Sequence, residues 1–271
     1  MSAMLEQAFP DVLDSLGRSD FGTTFHQTDY ARTGTKQTER EKVLDFMLGH
    51  FVEGFGRVRL LSLPGLDWIF EHMLLRARPD SHLVGLERSF TVFARSRRAL
   101  PAGPMDRGQH GKHLQDRTIT FGDGEVAYSR IAANRPGAGK CGRRDSRSNR
   151  LLRMDTATYA SMFTTDYGAT YKQKKEFHEK FYLRNAVWLD YTGTLCGGVE
   201  STLRHLPLCL APDENLKPVV LTLRNGRDGF RGVEQRIARV LAVQPAFEYR
   251  RHWTYLGKGG VPMLTVCGGM P

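Results

Sequence analysis

The sequence has little of what marks secreted, membrane-spanning or disulfide-bonded proteins. It has only four cysteines in 271 residues, and no two of them form a C-x-x-C pair. No apolar run approaches the roughly 18 residues that a membrane span needs, and the first residues show no basic segment followed by an apolar core. We therefore expect reduced thiols, no membrane partner, and a cytoplasmic or other reducing intracellular location.

Signatures of several enzyme classes are absent as well. The nine histidines form no H-E-x-x-H or similar cluster, so no metal site is predicted. No G-x-S-x-G string occurs, which argues against an elbow-type hydrolase. Residues 136–141 (PGAGKC) resemble a phosphate-binding loop only in part, because Asn134 replaces the first required Gly and Cys141 replaces Ser or Thr.

Positive charge, in contrast, is abundant. The chain has 39 Lys and Arg against 29 Asp and Glu, a net charge of +10 and a pI near 9.6. Such an excess favours a polyanionic partner, most simply nucleic acid. The charge is clustered in a predicted basic insertion at about residues 134–184, although such a loop can also be merely solvated. The predicted nucleic-acid-binding residues there are Arg135, Lys140, Arg143, Arg144, Arg147 and Arg150.

The alternation of apolar runs predicts an α/β protein. Residues 1–37 are interpreted as an N-terminal arm and residues 38–271 as one α/β domain. Predicted strands are 58–63, 83–86, 117–121, 186–189, 219–223, 247–255 and 263–267. Helical spacing falls mostly between them, at 38–51, 66–76, 90–100, 156–183, 199–210 and 232–241. This order predicts a Rossmann-like, mostly parallel seven-stranded sheet with a C-terminal antiparallel hairpin and helices on both faces.

Two strand-and-turn segments indicate a site for a nucleotide-type cofactor. Residues 57–65 form a buried strand that ends in a sharp turn at Pro64-Gly65. Residues 82–87 form a second strand that ends in Glu87, and such an acid about twenty residues beyond a glycine turn is typical of ribose binding in Rossmann-like sheets. The alternative is that Glu87 is a surface acid paired with Arg88.

The order of these elements resembles the class I S-adenosylmethionine-dependent methyltransferase fold, over roughly residues 38–271. In that fold the strand added last runs antiparallel within the sheet. The resemblance implies that Leu63-Pro64-Gly65 passes under the methionine part of the cofactor and that Glu87 binds the ribose hydroxyls. It also implies that Gly122-Asp123 contacts adenine, although Gly-Asp-Gly is also an ordinary turn.

The end of the predicted fourth strand, residues 190–193 (DYTG), lies where this family places its catalytic motif. In amino-methylating nucleic-acid enzymes that motif is Asp or Asn, two prolines and an aromatic residue. The resemblance implies that Asp190 orients an acceptor amino group while Tyr191 stacks on a base. In the alternative, Asp190 caps a helix or turn and Tyr191 is half-buried. Upstream, residues 32–36 (RTGTK) resemble a Gly-Lys segment that some DNA adenine methyltransferases place before strand one.

Three functional hypotheses follow from these features. The first is an S-adenosylmethionine-dependent methyltransferase acting on DNA or RNA. The second is a catalytically inactive, methyltransferase-derived module that binds nucleic acid or has a structural role, which the single glycine of the first loop and the missing prolines favour. The third hypothesis is a nucleotide-binding enzyme of another Rossmann class. The sequence leaves the oligomeric state open.

Overall fold

The computed structural model describes residues 34–50, 57–102, 113–121, 124–132, 149–164, 170–173, 177, 184–191, 194–211, 215–225 and 231–271. These residues form a nine-stranded sheet with helices on both faces. The strands are β1 (Arg59–Ser62), β2 (His82–Leu86), β3 (His113–Phe121), β4 (Gly124–Ala132), β5 (Arg150–Leu152), β6 (Ala186–Asp190), β7 (Lys217–Arg224), β8 (Glu248–Leu256) and β9 (Pro262–Met270). The described helices are α1 (Gly34–His50), α2 (Ile69–Ala77), α3 (Phe90–Ser96), α4 (Thr156–Ser161), α5 (Gly197–His205) and α6 (Val233–Val243).

The sheet has a parallel centre flanked by antiparallel strands. Its spatial order is β3-β4-β5-β2-β1-β6-β7-β9-β8, and the five strands from β5 to β7 are parallel to one another. Strand β9 runs antiparallel between β7 and β8. The predicted Rossmann-like fold class and its C-terminal hairpin are confirmed, and the sheet has nine strands rather than seven.

The interpretation of residues 117–121 as the third parallel strand is wrong. These residues lie in β3, which pairs antiparallel with β4 at the edge of the sheet. The parallel position beside β2 is occupied by β5, where Leu151 and Leu152 are fully buried. Residues 149–164 of the predicted basic insertion are therefore part of the sheet and of the adjoining helix α4.

Each face of the sheet carries its own apolar core. On one face, Leu60, Trp188 and Val220 pack with residues of α1, α2 and α3. On the other face, Leu61 and Val187 pack with residues of α4, α5 and α6. This division follows from strand geometry, because successive side chains point to opposite faces.

Helix α1 begins earlier than the sequence predicts. The predicted cap at Thr38 lies inside the helix, where its hydroxyl donates to the carbonyl of Gly34 at 3.0 Å. The start at Gly34 adds one turn and places Lys36 on the helix. No helix in the described part of the chain is long and apolar enough to cross a membrane.

Candidate cofactor and acceptor site

Three of the predicted site segments lie at one edge of the sheet. Strands β1, β2, β6 and β7 are parallel, so their carboxyl ends meet there, and such an edge is the usual ligand crevice of an open α/β sheet. The Pro64-Gly65 turn follows β1, Glu87 follows β2, and Asp190 is the last residue of β6. Strand β8 ends at the same edge, because Tyr255 pairs with Met263, which in turn pairs with Arg224 at the end of β7.

The first loop, residues 63–68, is fixed by packing and by two hydrogen bonds. Gly65 and Trp68 both have left-handed backbone conformations, with φ of 65° and 52°. The buried Trp68 indole donates from Nε1 to the carbonyl of Ser96 at 2.9 Å, and the Ser96 hydroxyl donates to the carbonyl of Gly65 at 2.6 Å. These bonds tie the loop to the end of α3. The Trp68 side chain is fully buried.

The same loop lies directly against β2. A Cβ atom added at Gly85 would come within 2.5 Å of the Trp68 ring and 2.8 Å of the Pro64 ring. Glycine is therefore required at this point of β2, since any side chain would displace the loop. The sequence did not single out Gly85, because its role depends on a contact between two elements.

Glu87 lies at the end of β2, as predicted. Its backbone N–H donates to the carbonyl of Leu152 at 3.0 Å, and its Oε1 accepts from the backbone N–H of Ser89 at 2.6 Å. Partial burial raises the pKa of the Glu87 carboxyl, and the backbone donors of Ser89 and Arg88 oppose that rise. Glu87 is thus held by the backbone, with its side chain partly exposed at the edge.

Asp190, at the end of β6, pairs with Lys36 of α1. The Lys36 Nζ lies 2.5 Å from Asp190 Oδ2, and the two side chains are 9% and 21% exposed. The Nζ also donates to the Tyr255 hydroxyl at 3.2 Å. It lies 5.8 Å from the centre of the Trp188 ring and 5.6 Å from that of the Tyr255 ring. An amino group therefore occupies a site built from a carboxylate and two aromatic rings, which is favourable for a cation.

Tyr191 lies on the opposite face of the sheet from Asp190. Its hydroxyl is 2.8 Å from the Thr156 hydroxyl, and burial raises the pKa of Tyr191. This arrangement agrees with the half-buried alternative and separates the two predicted catalytic residues. A base-stacking role beside Asp190 would require Tyr191 to leave this position.

Sequence reasoning missed Glu71, a buried acid in the first turn of α2. Glu71 is 1% exposed, and burial raises the pKa of its carboxyl to about 7. The Ser62 hydroxyl and the positive charge of Arg40 lower this pKa in part, and the negative charge of Asp190 raises it further. Neither Glu71 Oε1 nor Ser62 Oγ has a hydrogen-bond partner of ordinary geometry among the described residues. The available signal was an acid within the apolar segment 69–75.

The predicted adenine contact at Gly122-Asp123 does not follow a parallel strand. These two residues lie outside the described part of the chain, between the antiparallel strands β3 and β4. The acid that follows the third parallel strand is Asp155. Its carboxylate caps α4, accepting from the backbone N–H of Thr158 at 2.7 Å.

The predicted nucleic-acid-binding residues cannot all act together at the surface. Arg135, Lys140, Arg143, Arg144 and Arg147 lie outside the described residues. Arg150 lies in β5, where it is 1% exposed, stacks on Tyr128 at 5.9 Å and has a pKa lowered to about 10 by burial. A surface phosphate contact by Arg150 is incompatible with this burial, so that prediction is wrong.

Comparison with known proteins gives likenesses of structure alone. No family profile and no curated protein matches the sequence. The N-methyltransferase NodS from Bradyrhizobium japonicum is similar with a TM-score of 0.46 at 11% identity, covering 89% of this chain and 99% of that one. An S-adenosylmethionine-dependent methyltransferase from Agrobacterium tumefaciens gives 0.49 at 11% identity, covering 92% of this chain and 65% of that one. A fibrillarin/Nop5p complex gives 0.48 at 10% identity, covering 93% and 92%.

These likenesses concern the fold only. The strand directions define this fold. Five parallel strands lie at the centre of the sheet, and the last strand is inserted antiparallel between β7 and β8. This strand arrangement is the one that the sequence resemblance to the class I S-adenosylmethionine-dependent methyltransferase fold implied.

Proposed function

We propose that this chain binds S-adenosylmethionine at the carboxyl edge and transfers a methyl group to an amino group of a nucleic acid. One observation carries the proposal. The carboxylate of Asp190, at the predicted catalytic position, already holds an amino group, the Nζ of Lys36, at 2.5 Å. A carboxylate that accepts from an amine in this way can orient the lone pair of an acceptor nitrogen.

The residues at this edge fit the cofactor. The Glu87 carboxylate would accept hydrogen bonds from the ribose hydroxyls, and the backbone at Pro64-Gly65 would lie along the methionine part. Ser62, the last residue of β1, and Glu71 of α2 add two buried polar atoms, Oγ and Oε1, that have no hydrogen-bond partner among the described residues. When bound, the cofactor supplies an already activated methyl group on a sulfonium, so the protein has mainly to align the acceptor and tune the electrostatics.

The side chains around Asp190 suit the charge that methyl transfer creates. A neutral amine that gains a methyl group becomes cationic as the bond forms. The Asp190 carboxylate and the faces of Trp188 and Tyr255 stabilise positive charge at that position. A substrate amine would take the place that the Lys36 ammonium occupies in this structure.

Calorimetric titration with S-adenosylmethionine and S-adenosylhomocysteine tests the cofactor assignment. We expect Glu87→Ala to weaken binding by about tenfold or more, while Glu234→Ala, which removes an exposed acid of α6, leaves it unchanged. Absence of binding at millimolar ligand would refute the proposal. Equal affinities of the Glu87→Ala variant and the wild type would refute the ribose contact alone.

The nucleic-acid part of the proposal rests on the net charge of +10 and on the basic residues near 134–147. Phosphate contacts release counterions, so affinity must fall with salt. We expect Arg143→Ala/Arg144→Ala to lower the slope of log affinity against log salt by about one for each lost contact. Arg98→Ala, at an exposed arginine after α3, is the control. Binding that is insensitive to salt would contradict the phosphate contacts.

A second candidate is a methyltransferase-derived binding or structural module without activity. The observation that favours it is the same ion pair, because Lys36 already occupies the carboxylate that an acceptor would use. The calorimetric titration decides between the two, since an inactive module of this kind would bind nucleic acid without binding S-adenosylmethionine.

A further inference from the structure

We propose that Lys36 is an internal methyl acceptor, so that the protein methylates its own Lys36 Nζ. The inference rests on the proposed use of S-adenosylmethionine and adds a modification site to it. Its basis is the position of Nζ, which contacts the carboxylate proposed to hold the substrate amine. Lys36 belongs to α1, whose first turn lies at the carboxyl edge and brings the amine there without a second molecule.

The surroundings of Nζ suit an amine that becomes methylated. The ammonium lies 5.8 Å from the Trp188 ring centre and 5.6 Å from that of Tyr255. Aromatic faces of this kind bind methylated ammonium groups as well as unmethylated ones, because methylation retains the charge. The site therefore accommodates the reactant and the product.

The reaction requires that a donor reach Nζ, and Asp190 is the more exposed partner of the ion pair. The Lys36 side chain is 9% exposed, whereas that of Asp190 is 21% exposed and adjoins the end of β6. A donor at the carboxyl edge would approach Nζ from this side. The Nζ donates a hydrogen bond of 3.2 Å to the hydroxyl of Tyr255 in β8, which holds the amine in place.

The chemical step balances without a further reagent. A proton leaves Nζ for the Asp190 carboxylate and then for water. The freed lone pair forms an N–C bond to the methyl carbon as the C–S bond breaks, and the electron pair of that bond remains on sulfur. The products are N-methyl-lysine at position 36 and S-adenosylhomocysteine.

The experiment uses the full chain incubated with S-adenosylmethionine. Intact-mass and peptide mass spectrometry should show a gain of one methylene mass, confined to Lys36. The rate should be independent of protein concentration, because the acceptor lies in the same chain. Lys36→Arg should abolish the gain while preserving a positive charge beside Asp190, and Asp190→Asn should slow it by about tenfold or more.

Lys42 provides a matched control. It is also on α1, also lies over an aromatic ring (Trp253, 5.7 Å) and also pairs with a carboxylate (Glu39, 3.3 Å), but its side chain is 46% exposed. Spontaneous methylation would modify the more exposed Lys42 at least as fast as Lys36. Modification of Lys42 in place of Lys36 would overturn the inference.

The outcomes separate this inference from the proposed function. If calorimetry shows binding of S-adenosylmethionine but Lys36 gains no methyl group, the self-methylation is refuted and the proposed function stands. If no S-adenosylmethionine binds, both are refuted. If methylation at Lys36 occurs but is bimolecular in protein, the acceptor belongs to another copy, which overturns the internal assignment.

Discussion

The first loop and the end of β6 lie side by side at the carboxyl edge, yet different forces hold them. The loop is fixed by neutral contacts: the Trp68 ring against Gly85, and the hydrogen bonds through Ser96. The end of β6 is fixed by charge, through the pair of Asp190 and Lys36. The first loop should therefore keep its geometry as salt changes, while the ion pair at the end of β6 should weaken as salt rises.

The largest expected effect is the loss of stability when the packing of the first loop, residues 63–68, is removed. Trp68→Ala would remove a fully buried side chain and one hydrogen bond, and we expect a loss of about 4 kcal/mol in the free energy of unfolding. Chemical denaturation measures the loss, which should not depend on pH. Trp253→Ala, at a half-buried tryptophan bonded to Glu39, is the control and should cost less. A smaller loss at Trp68 than at Trp253 would contradict the comparison.

The response of stability to pH should come from Glu71, a buried acid of α2 whose pKa is raised by burial and further by the charge of Asp190. The folded-state pKa of Glu71 is about 7, above the ordinary 4.5, so the folded protein binds this proton more tightly than the unfolded chain does. Wild-type stability should then decrease as pH rises from 4.5 to 7, with the full loss present above 7. The shift corresponds to about 3 kcal/mol.

Glu71→Gln removes this cost. The variant should be more stable than wild type by about 3 kcal/mol above neutral pH, with the difference vanishing in acid, where the wild-type carboxyl is protonated in both states. Thermal melts across pH measure the difference. Glu234→Gln, in the exposed first turn of α6, should change stability little at any pH. A pH-independent effect of Glu71→Gln would contradict the burial of a titrating group.

A middle-sized effect is expected from the ion pair itself. Asp190→Asn should cost about 2 kcal/mol, because it leaves a largely buried ammonium without its carboxylate. This is less than the roughly 3–5 kcal/mol expected for a fully buried pair, since the Asp190 side chain is 21% exposed. Combining it with Lys36→Met should recover most of that loss, and the double-mutant cycle gives the coupling energy. The pair of Arg250 and Glu248, both 54% exposed, should show a much smaller coupling. Equal couplings would mean that burial does not strengthen the pair at the site.

The smallest effect concerns the loop's hydrogen bond. Ser96→Ala should cost about 1 kcal/mol by removing the bond to the Gly65 carbonyl. Hydrogen exchange of the backbone N–H groups around Gly65 should accelerate. Ser161→Ala, which removes a local bond to the Thr158 carbonyl within α4, should leave that exchange unchanged. Unchanged exchange in Ser96→Ala would show that packing alone holds the loop.

Most of the sheet could be predicted because its central strands are short apolar runs that end in turn residues. This pattern places the ends of β1, β2 and β6 to within one residue, and with them the positions of Glu87 and Asp190. The third parallel strand could not be found this way. Strand β5 has only three residues and starts with a buried arginine, whereas the alternating segment 117–121 has the stronger local strand signal.

The charged cluster could not be predicted, because no local pattern links its members. Lys36, Glu71, Asp190 and Tyr255 come from four elements that are distant in sequence. Their meeting depends on where α1 and α2 pack and on the position of β8. The Gly-Lys segment did draw attention to Lys36, but its pairing with Asp190 is a property of the assembled fold.

The insertion of β9 between β7 and β8 sets an order in which the site can assemble during synthesis. Among the described strands, β8 pairs with β9 alone, and β9 follows it in the chain. A nascent chain that has emerged as far as β8 can bring Lys36 to Asp190, but Tyr255 joins them only when β9 has bridged the two strands. The Tyr255 side of the aromatic surroundings of the amine is therefore the last part of the site to form.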